Sequence, residues 1–373
     1  MKETKLRQNL FSLNTLDSSM TSDKFSPGYE HLSSIDYGES RGKYEFTKEN
    51  NLLGRNRRES KEKLKLTNLS TQNLIAPYLD KKGLKELIML PDYSPGRGKL
   101  PTGSVAIYSS SKHTPNAQML GPDIGCGMLL AKFKKPIKDL EYSNYKIASE
   151  LRASGSELGS LGGGNHFIDF YEAMGPCDEI SLKNGDQLVL IHSGSRLKGK
   201  DIFDKKLKGE EYLQEYKKAV EFGEKNRSKL AEIVEKNSEN ELDLVFDNIH
   251  NSIEIENDKI IYRKGAVNMK ENKIGIISSR MGSKAIIVTP KSSLKKLKNS
   301  LCHGTGRKIS RSEAKKRFFD SKELRGKIHI PNFIADDFIK TEAPHCYRSL
   351  EEIFPALDEY ITRIGTLKNL SHI

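Results

Sequence analysis

Four times in this chain an apolar stretch meets a glycine-rich corner that carries a residue able to do chemistry. The corners hold Asp123 and Cys126 in GPDIGCGM, Asn165 and His166 in GGGNHF, His192 and Ser195 in HSGSR, and His303 and Arg307 in CHGTGR. Glycine reaches backbone conformations that side chains avoid, and it lets a ligand approach the main chain closely. Four such corners are hard to explain as packing. They constrain the fold to one built largely of short strands that end in turns.

The rest of the pattern agrees. LKELIMLPDYSPGRG (84–98) reads as an apolar strand breaking into a Pro/Gly loop. SVAIYSS (104–110), GMLLAKF, HFIDFYE, DQLVLIHS, IGIISS (274–279) and KAIIVTP (284–290) read as further strands. EEYLQEYKKAVEFGEKNRSKLAEIVEKN (210–237) has helical spacing, with Tyr212, Tyr216, Ala219 and Val220 on one stripe. SRSEAKKRF (310–318) opens on Ser310 with Glu313 three residues on, the pattern of a capping box. SLEEIFPAL (349–357) reads as another helical piece. Strands and helices alternate irregularly and there is no internal repeat. The expected class is α+β, with mixed or antiparallel sheets and flanking helices, rather than a doubly wound sheet.

Residues 1–70 differ in texture. They are rich in Ser, Asn, Lys and Glu, and RNRRESKEKLK (55–65) is a dense charge cluster best read as a solvated face. A phosphate-binding arm is the alternative for that cluster, and isolated strands from this segment are expected to dock on the main body, for example around Tyr44–Thr47. The main folded body is therefore placed at 71–373. The 62 Lys and Arg outnumber the 50 Asp and Glu, for a net charge of +12, which steers polyanions such as nucleic acid toward the surface. A Lys-rich chain that uses lysine only as a solubiliser would show the same surplus. The four cysteines are widely spaced, without the density of a disulfide framework, which suits a reducing compartment. No run approaches about 20 apolar residues, and the N-terminus lacks the apolar core of a signal peptide, so a cytoplasmic protein is expected.

The corners carry candidate ligands. Asp123, Cys126, His166, His192 and His250 make a mixed set of hard and soft donors. A structural zinc site usually closes on four N/S ligands, whereas a set with a carboxylate suits a catalytic divalent ion. Five ligands with a shared thiolate suffice for two ions, a common phosphoryl-transfer device. Each histidine taken singly is more often structural than a ligand. In CHGTGRKISR (302–311), Arg307 and Arg311 suit phosphate and the amides following Gly304 and Gly306 suit an anion nest. A histidine facing such phosphates can act as a nucleophile, although a loop histidine or a metal ligand fits that position too. HSGSR lacks the GxSxG elbow of a serine hydrolase, and GGGNHF lacks the GK[ST] of a P-loop.

In this order the motifs resemble the RtcB family of RNA ligases, over roughly residues 84–368. The resemblance rests on LPDYSPGRGKLPTGSVA, GPDIGCGM, LGGGNHFID, HSGSR, YLQEYKKAVEFGEKNR, His250–Asn251, RKGAV (263–267), CHGTGRKISR, the Pro344–Tyr347 segment and IGTLK (364–368). It implies that Asp123, Cys126, His166, His192 and His250 hold two manganese ions, with Cys126 bridging. It implies that His303 takes up GMP from GTP. Asn165, Asp169, Gly304, Gly306, Tyr347 and Lys368 then fall on nucleotide-binding positions, and Arg196, Arg307 and Arg311 on positions that bind anions and RNA phosphates. The implied reaction joins an RNA 3′-phosphate or 2′,3′-cyclic phosphate to a 5′-hydroxyl, as in tRNA splicing or RNA repair. The chain departs from the family pattern at Ser94, at Asp169 where a Glu is usual, at Ser278–Gly282, at Ala285 and at Cys302. Two other readings use the same residues: a metal-dependent phosphodiesterase or phosphatase on RNA ends, and a non-catalytic RNA-end binding protein.

Overall fold

A computed structural model describes residues 63–65, 82–94, 96–154, 157–162 and 166–373, all within the unit Arg41–Ile373. Asn165, the strand expected around Tyr44–Thr47, most of the 55–65 charge cluster and the boundary near residue 70 lie outside the described residues. The strands are β1 (Lys63–Lys65), β2 (Leu84–Ser94), β3 (Thr102–Ser109), β4 (Gly127–Phe133), β5 (Phe167–Ala173), β6 (Gln187–Ser193), β7 (Leu242–Ile249), β8 (Asn251–Glu256), β9 (Lys259–Lys264), β10 (Ala266–Asn268), β11 (Gly275–Ile277), β12 (Ala285–Pro290), β13 (Ser300–Cys302) and β14 (Ile361–His372). The helices are α1 (Leu140–Ala153), α2 (Leu197–Asp204), α3 (Gly209–Ser238), α4 (Arg311–Lys316), α5 (Ser321–Arg325), α6 (Asp336–Glu342) and α7 (Leu350–Ile353).

Seven strands form one antiparallel sheet in the order β11-β12-β14-β5-β6-β4-β7. Successive side chains of a strand point to opposite faces. In β4, Leu129 and Ala131 therefore face α1 and α3, packing with Ile147, Leu230 and Val234. Met128 and Leu130 face the other way, onto Leu188, Leu190 and Leu367. Burial on both faces explains why GMLLAKF and QLVLIHS read as nearly continuous apolar runs. A second sheet, β1-β2-β3-β9-β8, pairs β1 with β2 in parallel and is otherwise antiparallel, and β10 pairs with β13 as a separate ribbon. The molecule is α+β with antiparallel sheets and flanking helices.

Helix α3 follows the predicted stripe, burying Tyr212, Ala219, Leu230 and Val234. Ser310 caps α4 by accepting from the Glu313 amide at 3.1 Å, which is half of the expected box. The helix expected over 349–357 stops at Ile353 and tightens into a 3-10 turn at Phe354–Ala356. Pro355 is the physical reason, since it lacks the N–H that the next α-turn requires.

Candidate metal centre and the histidine beside it

The sheet order gathers the predicted corners. In an antiparallel sheet, the start of one strand lies beside the end of its neighbour. Gly127 at the start of β4 faces Ser193 at the end of β6 on one side and Ile249 at the end of β7 on the other. Phe167 at the start of β5 faces His192. Cys126, His166, His192 and His250 are thus carried to one sheet edge by backbone register. His303 arrives from the ribbon: it follows β13, whose Cys302 pairs with Ala266, next to Gly265.

Side chains then close on one another. Cys126 Sγ lies 3.2 Å from His192 Nε2 and 3.4 Å from His166 Nε2, and His192 Nε2 lies 3.2 Å from His250 Nε2. All four residues are buried. Cys126, His192 and His250 place their ligand atoms within 4.8 Å of one another, the one such group among the described residues. His166 Nδ1 lies 3.0 Å from the Leu161 carbonyl, which only accepts, so Nδ1 carries the proton and Nε2 turns a lone pair toward the thiol. Asp123 is exposed and stands outside the convergent group, although its charge acts on Cys126, His166 and Arg196.

Burial sets the charge of these donors. Burial pushes the Cys126 thiol up, with Asp123 adding to the rise and Arg227 and Arg196 opposing it. Burial pulls His166 down, against the Asp123 charge. It pulls His250 well below the usual imidazole range, aided by His303 and His192. The rings are held neutral, with Nε2 atoms turned toward each other and toward sulfur. His250 Nδ1 is buried with no hydrogen-bond partner. A divalent cation accounts for lone pairs that converge in this way, so the residues fit a metal.

His303 is the less enclosed histidine, its side chain 12% exposed against 0% for Asp92 beside it. Its ring lies 4.4 Å from that of His250, centroid to centroid. Nδ1 sits 3.0 Å from the Gly265 carbonyl and 3.1 Å from Asp92 Oδ2. Since the carbonyl only accepts, Nδ1 is the protonated nitrogen and Nε2 keeps the lone pair. Burial raises the Asp92 carboxyl above its usual range, and the hydrogen bond to His303 works against that rise. Sequence reasoning missed Asp92. It also missed Lys264, inside the RKGAV motif, whose buried ammonium donates to the Arg97 carbonyl and is brought down to about 7 by burial.

The remaining predicted residues divide. Arg196 has φ 59° and reaches Ser160 Oγ at 3.4 Å and the His166 ring, beside the metal candidates. Gly304 bridges to Ser278 and Gly306 turns with φ +74°. Arg307, Arg311 and Tyr347 converge on the buried carboxylate of Glu342, another residue that the sequence did not single out. Arg307 donates to Glu342 Oε2 at 3.0 Å and to Tyr347 Oη at 2.9 Å, Arg311 donates to Glu342 Oε1 at 2.8 Å, and Tyr347 bonds the same carboxylate. Both oxygens of Asp169 are engaged, Oδ1 with His372 Nδ1 at 2.6 Å and Oδ2 with Tyr171 Oη at 3.0 Å. Lys368 is exposed and lines a cavity of about 460 Å³ with Arg280, Ser283 and Glu351.

The fold and site together describe an antiparallel α+β body with a candidate metal centre and a polarised histidine at one sheet edge. The profile of the family described as tRNA-splicing ligase RtcB matches residues 146–209 and 203–372, more than half of the chain. The RNA-splicing ligase RtcB2 of Escherichia coli is 28% identical over 326 residues, covering 74% of this chain and 83% of that protein. RtcB1 of the same organism is 29% identical over 259 residues, covering 57% of this chain and 60% of that protein. This chain belongs to the RtcB family. No helix among the described residues is long and apolar enough to cross a membrane.

Proposed function

We propose that this chain is a GTP- and manganese-dependent RNA ligase that joins a 3′-phosphate or 2′,3′-cyclic phosphate end to a 5′-hydroxyl end, in tRNA splicing or RNA repair. The observation that carries the reading is the His303 ring. Its Nδ1 is fixed by Asp92 and the Gly265 carbonyl, and it packs against His250 of the candidate metal centre. That leaves Nε2 as a nucleophile beside a cation site, the arrangement that nucleophilic catalysis at phosphorus requires. The family membership and the relatives' names supply the reaction class.

In this reading Asp123, Cys126, His166, His192 and His250 would hold the manganese, and metal bound there would neutralise charge on the phosphate being transferred. His303 Nε2 attacks the α-phosphate of GTP, an N–P bond forms as the P–O bond to pyrophosphate breaks, and the proton stays on Nδ1, held by Asp92 and the Gly265 carbonyl. The RNA 3′-phosphate then takes the GMP and frees His303. The 5′-hydroxyl attacks the activated phosphate, loses its proton, and GMP leaves. A cyclic end is first opened by water to the 3′-phosphate. Asn165, Asp169, Gly304, Gly306, Tyr347 and Lys368 are assigned to the nucleotide, and Arg196, Arg307 and Arg311 to anions and RNA phosphates. Glu342 holds two of those arginines in a fixed fork, so an incoming phosphate competes with a standing carboxylate. The catalytic body is 71–373, preceded by a segment of low hydrophobicity.

The test is incubation with manganese and GTP labelled at the α-phosphate, followed by denaturing electrophoresis beside His303→Ala. An acid-labile, alkali-stable band that the variant lacks, with metal content unchanged in the variant, is the expected result. Loss of metal from the variant would make His303 a ligand instead. No band from metal-loaded protein, with release of phosphate from RNA ends without GTP, would point to the phosphodiesterase reading.

A further inference from the structure

The ligand-bearing corners come from four separate stretches of chain, and two consecutive residues of α3 touch all four. Asn226 and Arg227 are both 0% exposed. Asn226 Oδ1 accepts from the Gly159 and Ser160 amides at 2.7 and 3.3 Å, and its Nδ2 donates to the Ser160 carbonyl at 3.0 Å. The next residue, Leu161, supplies the carbonyl that orients His166. Asn226 Nδ2 also donates to Ser193 Oγ at 2.9 Å, beside His192. Arg227 Nη1 donates to the carbonyls of Ser193 at 2.9 Å and Gly125 at 3.0 Å, the latter beside Cys126. Its Nε donates to Asp247 Oδ1 at 2.6 Å, three residues before His250 on β7. The helix reaches this close because position 223 is glycine: a Cβ there would lie 2.8 Å from the Gly125 carbonyl oxygen.

We propose that Asn226 and Arg227 are positioning residues that lock the Cys126, His166, His192 and His250 segments into a single metal-binding geometry. The inference rests on the metal reading of that site. A buried arginine with one carboxylate partner would serve stability wherever it was placed. Here every bond that the pair makes ends on a segment carrying a ligand, and none ends on the apolar packing around α3. Sheet register alone sets strand ends to within the slack of a turn. The amide and guanidinium remove that slack, as outer hydrogen bonds do around metal ligands.

The experiment is titration of the metal-free full chain with Co²⁺, read by the thiolate-to-cobalt charge-transfer band and by calorimetry. Far-UV circular dichroism of each metal-free variant reports folding. Asn226→Ala is expected to weaken Co²⁺ binding about 10–100-fold and to shift the band, in folded protein. Leu230→Ala truncates a fully buried core residue one turn further along α3 and is expected to lower the melting temperature with Co²⁺ affinity unchanged. Wild-type affinity and spectrum in folded Asn226→Ala, or an equal loss in Leu230→Ala, would overturn the proposal. Should Asn226→Ala fail to fold, Ser193→Ala removes only the hydroxyl link. A several-fold loss of affinity there supports the proposal and wild-type affinity overturns it. A wild-type chain that binds Co²⁺ without a thiolate band would sink the metal reading itself, and this inference with it.

Discussion

In the proposed reaction, Asp92 is the residue on which the chemistry of His303 turns. As an acceptor it keeps the Nδ1 proton in place, and an imidazole so held offers Nε2 in one fixed direction. Asp92→Asn retains the shape but turns an amide of ambiguous orientation toward a nitrogen that already donates to the Gly265 carbonyl. The rate of labelled adduct formation is expected to fall by about 10²–10⁴, the range of a lost acid–base partner, with metal content unchanged. A rate within a few-fold of wild type would remove Asp92 from the mechanism. A second expectation concerns pH. Burial holds the Cys126 thiol above its usual range in the metal-free chain and holds His166 and His250 below theirs. The imidazoles are then already neutral near pH 7, while the thiol must shed a proton to bind. Metal affinity should therefore rise with pH by about tenfold per unit, with about one proton released per site, across the near-neutral range. Calorimetry in buffers of different ionisation heat measures that proton directly, and affinity flat with pH would exclude thiolate ligation. The convergence of Cys126, His166 and His192 was legible in sequence, because glycine corners mark them locally, whereas His250 sits in a glycine-free stretch. Asp92 was not: it lies 211 residues from His303 and is embedded in a strand that reads as core. Asn226 and Arg227 hide likewise, as two polar residues on an otherwise amphipathic helix.

At the scale of elements, the site depends on how closely the loops can approach one another. Gly306 shows the tolerance. Its φ is +74°, and a Cβ there would lie 2.0 Å from the carbonyl oxygen of Asp92, in the segment that holds His303. Gly185 has φ +83° and no atom within 4 Å of the same position. Both Gly→Ala variants carry the conformational cost, of about 1 kcal/mol, and Gly306→Ala adds a backbone collision of about 1–3 kcal/mol. Thermal denaturation should show Gly306→Ala melting well below Gly185→Ala, and only the former should lose adduct formation. Equal melting temperatures would mean that the 303–307 loop adapts freely. The elements themselves were largely readable. Helix α3 was expected over 210–237 and runs Gly209–Ser238, and β2 to β6, β11 and β12 fall on the apolar runs that predicted them, whereas β7 to β10, β13 and β14 carry mixed polar sequence and were not read as strands. Strand order was not readable, because β4, β5 and β6 are buried on both faces and no local signal says which neighbours which. The break at Pro355 was visible in the sequence and outweighs the helical spacing around it.

Over the whole molecule, the net charge of +12 makes a quantitative demand on RNA binding. Each phosphate neutralised on a single strand releases counterions, so affinity falls with salt at a slope of about −0.7 per contact in log–log form. If Arg196, Arg307 and Arg311 act with one lysine as proposed, about four contacts give an expected slope of about −3 and about a 50-fold loss between about 50 and 200 mM salt. The sequence displays the surplus charge but not how it is spent. Lys200, Lys205, Lys218, Lys229 and Lys327 all pair with carboxylates three or four residues away, and exposed pairs of that kind are worth little and leave the cation able to exchange partners. Arg307 and Arg311 differ, since Glu342 between them is buried and cannot be screened in the same way. Their gain on binding phosphate is the difference between two partners rather than the full worth of a new one. Arg311 is the more exposed of the two, at 44% against 16%, and on the proposed reading is the more accessible to an RNA phosphate. Arg311→Ala should weaken RNA about equally for all sequences and make the slope shallower by about 0.7, measured by fluorescence anisotropy across a salt series. An unchanged slope with reduced affinity would assign Arg311 to the Glu342–Tyr347 network alone, leaving Arg196 and the lysines to carry the RNA.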